Sequence, residues 1–230
     1  MSDTKRFGKV VLIRKLIAII LFMWVYYNLI LWLFIPGVYS NPIIFTALIA
    51  YFIGGSIDIL IRPLPDTKDI NVTIVEKLIA LIGLLTPFIF ILAYLENLYI
   101  IAPFIPIWNE PIVGYIGIIL IVLGAIIMVA SRIQLGKYGT PVIHTGEDHK
   151  LATKGLYKYV RHPMYFGATM MMLGPFIAFR GLFVFIIIIF YYLIVMKMRM
   201  QMEEEILIGA FGDEYRDYMK RTKRIIPFIY

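Results

Sequence analysis

The sequence predicts an all-α protein that crosses a membrane several times. Its 230 residues are 61% hydrophobic and only 16% charged, and its mean hydropathy is +0.84, which is far from the composition of a soluble globular domain. Runs of about 20 apolar residues, long enough to cross a hydrocarbon core of about 30 Å, recur along the chain. We therefore expect a polytopic helical membrane protein.

Four apolar runs are each long enough for one span, at residues 11–35, 43–61, 74–95 and 112–130. A fifth region, residues 163–198, is too long for one crossing and contains Arg180 and Gly181 at its middle. We interpret it as a helical hairpin with two arms of about 17 residues. The prediction is thus five to six transmembrane helical segments, the last being the hairpin.

The distribution of basic residues predicts the orientation. The N-terminal end carries five Lys and Arg residues, the second connection three, the fourth six and the C-terminal end seven, whereas the first and third connections carry none. Because cytosolic loops are enriched in Lys and Arg, we expect both termini in the cytosol. The net charge of +7 is then explained by anionic lipid and by topology, so nucleic-acid binding is not indicated.

The chain divides into an N-terminal part made of apolar spans and a C-terminal part that carries the patterned polar residues. Residues 1–130 are predicted to form an N-terminal transmembrane anchor of four spans, and residues 131–230 a catalytic unit of cytosolic loop, hairpin and interfacial helix. That last helix is predicted because four residues recur at every fourth position, the spacing of an amphipathic helix at a membrane surface. These are Glu203, Leu207, Phe211 and Tyr215.

Asp58 is the one acid inside an early span, and it leaves two interpretations open. Arg62 follows four residues later, which favours an ion pair at the membrane interface. The alternative is a buried functional carboxylate, since acids within spans are often functional.

Several classes of chemistry are excluded or unsupported. The chain has no cysteine, which rules out disulfides, thiolate catalysis and cysteine-based metal sites. The motifs of dinucleotide-binding folds, P-loop NTPases, zinc proteases and serine hydrolases are absent from the sequence. The three histidines, His144, His149 and His162, lie in the fourth connection with spacings that are not typical of metal ligands, so no metal site is predicted.

The densest polar and aromatic stretch is GLYKYVRHPMYFG, residues 155–167. Pro163 suits the first position of a helix because its ring fixes φ and it lacks an N–H. His162 is then the expected N-cap, and Arg161 and His162 stand where unpaired N–H groups and the positive end of the helix dipole favour an anionic ligand.

A second polar group follows at the other end of the predicted hairpin. Arg199 and Glu203 are four residues apart and share a helix face, which by itself indicates only a surface ion pair. However, with Glu204 they emerge at the same depth as His162. Such a convergence could form a site for a zwitterionic or charged cofactor.

These residues resemble a known family. The stretch GLYKYVRHPMYFG, followed after the hairpin by RMQMEEEILIGAFGDEYRDYMKRTKRIIP, is similar to the C-terminal signature of the isoprenylcysteine carboxyl methyltransferases. In that family an Arg-His-Pro-x-Tyr-x-Gly stretch, a Glu-Glu pair and a Phe-Gly-x-x-Tyr-x-x-Tyr ending recur. The resemblance covers roughly the last 95 residues and leaves the N-terminal spans matched only in being hydrophobic.

The resemblance implies a membrane-embedded transferase that uses S-adenosylmethionine, with its active site at the cytosolic face. The acceptor would be a prenylcysteine or similar lipid-like carboxylate that enters from the bilayer. Arg199 would hold the acceptor carboxylate, and Arg199 and Glu204 are the expected catalytic residues. The expected cofactor-binding residues are His144, His149, Lys150, Leu151, Tyr157, Arg161, His162, Tyr165 and Glu203.

The chemistry agrees with this assignment. A sulfonium donor and a carboxylate acceptor lose their opposite charges in the transition state, so exclusion of water favours transfer and no metal is needed. An amine acceptor would instead need a base, and Glu204 or His162 would be the candidates.

Three alternatives differ in class. Phospholipid amine N-methyltransferases have similar C-terminal features. Membrane sterol reductases share a comparable ending but use NADPH and generally have more spans. A non-catalytic adaptor would offer no reason for glutamates, arginine and histidine to gather at the helix ends.

Overall fold

The computed structural model describes residues 2–63, 73–136 and 151–226, with the backbone alone for residues 2–9. In these parts of the chain every regular element is helical, and the one extended pairing is a β-bridge between Val160 and Lys223. The α-helices are α1 (Ser2–Ala18), α2 (Tyr27–Phe34), α3 (Pro42–Ile61), α4 (Ile74–Glu96), α5 (Ala102–Phe104), α6 (Pro111–Leu135), α7 (Pro163–Ala178), α8 (Leu182–Phe211) and α9 (Asp213–Arg221).

Five helical stretches are long and apolar enough to cross a membrane. They are Val10–Phe34, in which a π-helical segment (Ile19–Tyr26) joins α1 to α2, then Pro42–Ile61, Ile74–Phe104, Pro111–Leu135 and Leu182–Phe211. With the shorter α7, of 16 residues, they confirm an all-α membrane fold of five to six segments. The chain is an integral membrane protein.

Prolines begin α3, α6 and α7, where the missing N–H costs nothing because the first turn has no partner for it. Asn41 completes the start of α3, since its side-chain oxygen accepts from the N–H of Ile43 and of Ile44 at 3.1 and 3.2 Å. These starts agree with the predicted spans to within a residue.

The third span is longer than predicted. A π-helical turn (Asn97–Ile101) continues α4 into α5, so the helix ends at Phe104 rather than near residue 95. The helix stops at Ile105, which precedes Pro106 and has φ of −131°. The residue before a proline is pushed out of the helical region, which explains the boundary.

Helices α6 and α7 pack backbone against backbone. A Cβ added to Gly124 would lie 2.4 Å from the backbone nitrogen of Met171 and 2.6 Å from the carbonyl oxygen of Gly167. Gly117 and Gly174 create an equally close approach farther along. Small residues of this kind let membrane helices approach closely, and here they fix the helix that carries His162 at its start.

The hairpin forms where it was predicted, but its arms are unequal. Arg180, with φ of +61°, lies in the turn between α7 and α8. The second arm has 30 residues rather than about 17. At 1.5 Å per residue it is about 45 Å long, so it continues beyond a hydrocarbon core of about 30 Å.

The predicted C-terminal amphipathic helix is not one continuous element. Residues 203–211 continue α8, and Gly212, with φ of +54°, ends it, so a separate nine-residue α9 follows. Glycine adopts this left-handed conformation at helix ends without strain. Within α9, Tyr215 and Tyr218 are buried.

The antiparallel order of the helices gives the bundle two distinct ends. At one, the basic end, α3 and α6 finish and α4 and α7 begin, and Asp58 bridges Arg62 and Arg132. At the other, the Glu96 end, α4 meets the start of α8. The division of the chain at residue 130 stays a prediction, and α6 runs five residues past that point.

Candidate functional site

His162 is the N-cap of α7 and Pro163 its first residue, as predicted. The imidazole makes no capping bond to its own helix and is only 3% exposed. Its ring stacks on that of Tyr165, with centroids 5.5 Å apart and planes at 26°. Both ring nitrogens are therefore directed to groups on other elements.

Glu204 is the hub of the site. Its carboxylate accepts from Nε of Arg161 at 2.9 Å, lies 3.1 Å from Nε2 of His162 and accepts two bonds from Arg224. The residue is 3% exposed, so these contacts compensate for the loss of water around a buried charge. Glu204 thus joins α8 to the start of α7 and to the C-terminal segment.

Glu203 differs from its neighbour. Its Oε2 lies 3.7 Å from Nδ1 of His162, and among the residues that the structure describes this buried oxygen has no hydrogen-bond partner. The side chain is 23% exposed, and it also interacts with Tyr165. An unpaired buried carboxylate oxygen costs free energy unless a ligand donor pairs with it.

Arg199 lies at the same end of the bundle, and its guanidinium is held by residues of other helices. Its Nη1 is 2.7 Å from Oε1 of Glu76, and its Nε donates to the hydroxyl of Tyr165 at 3.2 Å. Glu76 itself belongs to a capping box with Thr73 at the start of α4. The predicted proximity of Arg199 to Glu203 is therefore mediated by Tyr165.

Two tyrosines lie beside this cluster, one on α9 and one in the segment that precedes α7. The hydroxyl of Tyr218 donates to the carbonyl oxygen of Tyr157 at 2.6 Å. Burial, with the charge of Glu203, raises the pKa of Tyr157 well above its ordinary value, and burial raises the pKa of Tyr218 to about 12. Both tyrosines therefore stay neutral near pH 7.

The structure brings together most of the predicted site. Six residues converge, namely Arg161, His162, Tyr165, Arg199, Glu203 and Glu204, and Tyr157 lies beside them. Leu151 instead lines a cavity next to Gln134 and Leu135 at the end of α6. His144, His149 and Lys150 lie outside the described residues.

Sequence reasoning missed two partners of this site. Glu76 could have been suspected from the capping-box spacing after Thr73, but that spacing gives no sign of its bond to Arg199. Arg224 had no signal beyond its charge.

Asp58 forms the ion pair predicted by the first interpretation, and the functional role of the second stays a prediction. It forms the predicted ion pair with Arg62, and it is also buried, at 3% exposure, and bonded to Arg132 at 2.5 Å. The second arginine explains how a carboxylate is tolerated there.

A cavity of about 240 Å³ lies between the first span and helices α3, α6, α7 and α8. Its walls are mostly apolar and rich in methionine: Phe22, Met23, Tyr27, Tyr51, Gly55, Ile59, Met128, Ala168, Met171, Met172 and Tyr192, with Asp58 and Arg62. Ala168 is one turn after Tyr165, and Tyr165 and Met172 pack on the same apolar cluster around Tyr192. The cavity therefore begins close to the polar site.

Within the residues described, no group of three His, Asp or Glu side chains is placed to hold a metal ion. The charged groups around His162 are instead paired with one another.

Comparisons with known proteins agree with the sequence resemblance. A family model described as phospholipid methyltransferase matches residues 113–214. A probable protein-S-isoprenylcysteine O-methyltransferase of Oryza sativa subsp. indica is 28% identical over 119 residues, 51% of this chain and 62% of the rice protein. The Homo sapiens protein-S-isoprenylcysteine O-methyltransferase is 31% identical over 115 residues, 49% of this chain and 40% of the human protein. The chain thus spans less than two thirds of these relatives.

A solved structure, that of the eukaryotic intramembrane Ras methyltransferase ICMT, has the same fold, with a TM-score of 0.63 at 19% identity over 89% of this chain and 75% of that one. The predicted resemblance to the isoprenylcysteine carboxyl methyltransferases is confirmed. It also extends farther than the sequence indicated, because the matched family region starts in α6 and the shared fold includes N-terminal helices.

Proposed function

We propose that this chain, which resembles the isoprenylcysteine carboxyl methyltransferases, is a membrane methyltransferase that uses S-adenosylmethionine. The acceptor would be the carboxylate of a prenylcysteine or a similar lipid-like molecule. The observation that carries the proposal is the buried Oε2 of Glu203, which faces His162 and has no hydrogen-bond partner among the described residues.

The residues present suit such a cofactor. S-adenosylmethionine, when bound, supplies an electrophilic methyl group on a sulfonium and an ammonium group. Glu203 offers a carboxylate to a cationic group, and the stacked rings of His162 and Tyr165 offer aromatic faces to one. By resemblance, His144, His149, Lys150, Tyr157 and Arg161 would complete the cofactor site, whereas Leu151 lines a separate cavity at the end of α6.

Glu204 does not suit the role of a general base. Two arginines and His162 contact its carboxylate, so both of its oxygens are already occupied by protein groups. We therefore assign Glu204 to orienting Arg161 and His162. This arrangement favours a carboxylate acceptor, which needs no deprotonation, over an amine.

Arg199 is assigned to the acceptor carboxylate. Its guanidinium is fixed by Glu76 and Tyr165 in a buried position, which limits its freedom before the acceptor arrives. We expect the acceptor carboxylate to share this guanidinium with Glu76. The tail of the acceptor would occupy the methionine-lined cavity, because flexible thioethers adapt to irregular apolar shapes.

The proposed topology follows from charge. The basic end of the bundle would face the cytosol, with both termini on that side, because it holds Lys15, Arg62 and Arg132 whereas the Glu96 end holds Arg180. The cofactor would then enter from the cytosol and the acceptor from the bilayer.

The test is transfer of a labelled methyl group from S-adenosylmethionine by the purified protein to a farnesylcysteine analogue. We expect a base-labile methyl ester and competition by S-adenosylhomocysteine. Absence of ester with every prenylcysteine tried would reject this acceptor.

The second candidate is phospholipid amine N-methylation, which the description of the matching family model favours. Methylated phosphatidylethanolamine, measured in the same assay with added lipid, would support it instead. Displacement of bound ligand by NADPH but not by S-adenosylhomocysteine would point to a reductase.

A further inference from the structure

The segment after α9, residues 222–226, has no part in the function proposed above, yet it is bonded to the centre of the site. We call it the strap. The N–H groups of Arg161 and His162 donate to the carbonyl oxygens of Lys223 and Arg224 at 2.8 and 3.0 Å, and the N–H of Lys223 donates to Tyr159 at 3.2 Å. The backbone before Pro163 is thus held by the strap in a short parallel bridge.

Side chains reinforce this attachment from both directions. Nη1 of Arg161 donates to the carbonyl oxygen of Thr222 at 2.6 Å. In return, Arg224 binds the Glu204 carboxylate, at 3.1 Å through Nε and again through Nη2. Arg224 is therefore bonded through its backbone to His162 and through its side chain to the carboxylate that contacts the same imidazole.

The imidazole is the point at which these bonds affect ligand binding. Its Nε2 faces Glu204 at 3.1 Å, and its Nδ1 faces the open oxygen of Glu203 at 3.7 Å. A rotation of the Glu204 carboxylate would turn the ring and change the second distance. Arg224 contributes two of the bonds that hold this carboxylate.

We propose that Arg224 is a positioning residue, which holds Glu204 and through it sets His162 opposite Glu203. The inference rests on the proposed function in one respect, that the ligand bound between His162 and Glu203 is S-adenosylmethionine. The strap then makes cofactor affinity depend on residues that follow the last helix.

The first measurement is calorimetry of the full-length protein with S-adenosylhomocysteine. We expect Arg224→Gln to weaken binding by about tenfold or more, because a charged hydrogen bond to a buried carboxylate is lost. Arg224→Lys keeps the charge and should recover part of the affinity. The KM for the acceptor should stay close to that of the wild type.

The matched control is Arg221→Gln, which removes an exposed arginine three residues away whose side chain bonds to the carbonyl oxygen of Asp217 in its own helix. It should bind S-adenosylhomocysteine as the wild type does. An equal loss in both variants would overturn the assignment of a specific role to Arg224.

A second measurement is independent of the cofactor. In hydrogen exchange, Arg224→Gln should speed exchange at the amides of Arg161 and His162, while those of Phe183 and Val184 at the Glu96 end remain protected. Faster exchange at both ends would mean general destabilisation and would contradict the proposal, as would unchanged exchange at Arg161 and His162. If the wild type fails to bind S-adenosylhomocysteine, the proposed function fails while exchange still decides the role of Arg224.

Discussion

Two buried glutamates hold opposite ends of the membrane bundle in different ways. At one end, Glu96 accepts from the N–H groups of Phe183 and Val184 at 2.7 and 2.9 Å, so it caps the first turn of α8. At the other, Glu204 contacts the side chains of Arg161, His162 and Arg224. One carboxylate binds backbone groups that α8 leaves unpaired in any case, and the other binds side chains from two distant segments.

The difference bears on which of the two carboxylates can serve a ligand. Backbone N–H groups at a helix start are fixed, and the Glu96 carboxylate is already paired with two of them. Side chains can be oriented, and the cluster at Glu204 leaves its neighbour Glu203 with a buried oxygen that has no hydrogen-bond partner in the described part of the chain. We infer that the Glu96 end stabilises the fold. The arrangement at the other end favours ligand binding and lowers stability to some extent.

The largest effect is expected from Glu204→Gln. Removing this charge leaves Arg161 and Arg224 largely buried without their carboxylate, and breaking a buried ion pair costs about 3–5 kcal/mol. We expect a large drop in thermal unfolding temperature in detergent together with loss of S-adenosylhomocysteine binding. Wild-type stability in this variant would show that the hub contributes little.

Glu203→Gln should separate binding from stability. Loss of a charged hydrogen bond to the ligand should weaken S-adenosylhomocysteine binding by about 10- to 100-fold, whereas the unfolding temperature should change little because Oε2 has no hydrogen-bond partner among the described residues. Calorimetry and thermal unfolding on the same sample would check both. A fall in unfolding temperature with normal affinity would reverse the roles assigned to Glu203 and Glu204.

Glu96→Gln should give the opposite result. The neutral amide can accept from one N–H of α8 but loses the favourable interaction of a charge with the helix start, so we expect a loss of about 1–2 kcal/mol in the free energy of unfolding. Cofactor affinity should be unchanged. A clear loss of S-adenosylhomocysteine binding would mean that the two ends are coupled through α8.

The smallest effect is expected from Lys220→Ala on α9. Its ion pair with Asp217 joins two largely exposed side chains, and such pairs contribute at most a few tenths of a kcal/mol. Unfolding temperature and affinity should both match the wild type. A marked loss of affinity would show that the surface of α9 takes part in ligand binding.

The local features of the fold were predictable because they depend on short stretches of sequence. Apolar runs gave the spans, and Pro163 and His162 gave the start of α7, since a proline and the residue before it restrict the backbone whatever surrounds them. The predicted helix ends were wrong where a helix continued through residues that have only a weak tendency to end it. Examples are the π-helical turn Asn97–Ile101 and the continuation of α8 past Glu203.

The candidate site likewise has residues that were predictable from the sequence and contacts that were not. Arg161, His162, Tyr165, Glu203 and Glu204 carry the family motif and converge in space. Their individual partners were not predictable, because the bonds of Arg199 to Glu76 and of Glu204 to Arg224 join side chains from separate elements. Spacing within one helix instead suggested a pair between Arg199 and Glu203.

The sequence by itself determined a helical membrane protein, its hairpin near Arg180 and the motif residues at the polar end, because hydrophobic length, proline geometry and motif are local properties. Only the tertiary structure decided that Glu204 is enclosed by cations while one oxygen of the adjacent Glu203 has no hydrogen-bond partner within the described ranges. The two residues are identical in type and neighbours in the chain, and they differ only because α8 turns one toward Arg161 and Arg224 and the other toward Nδ1 of His162.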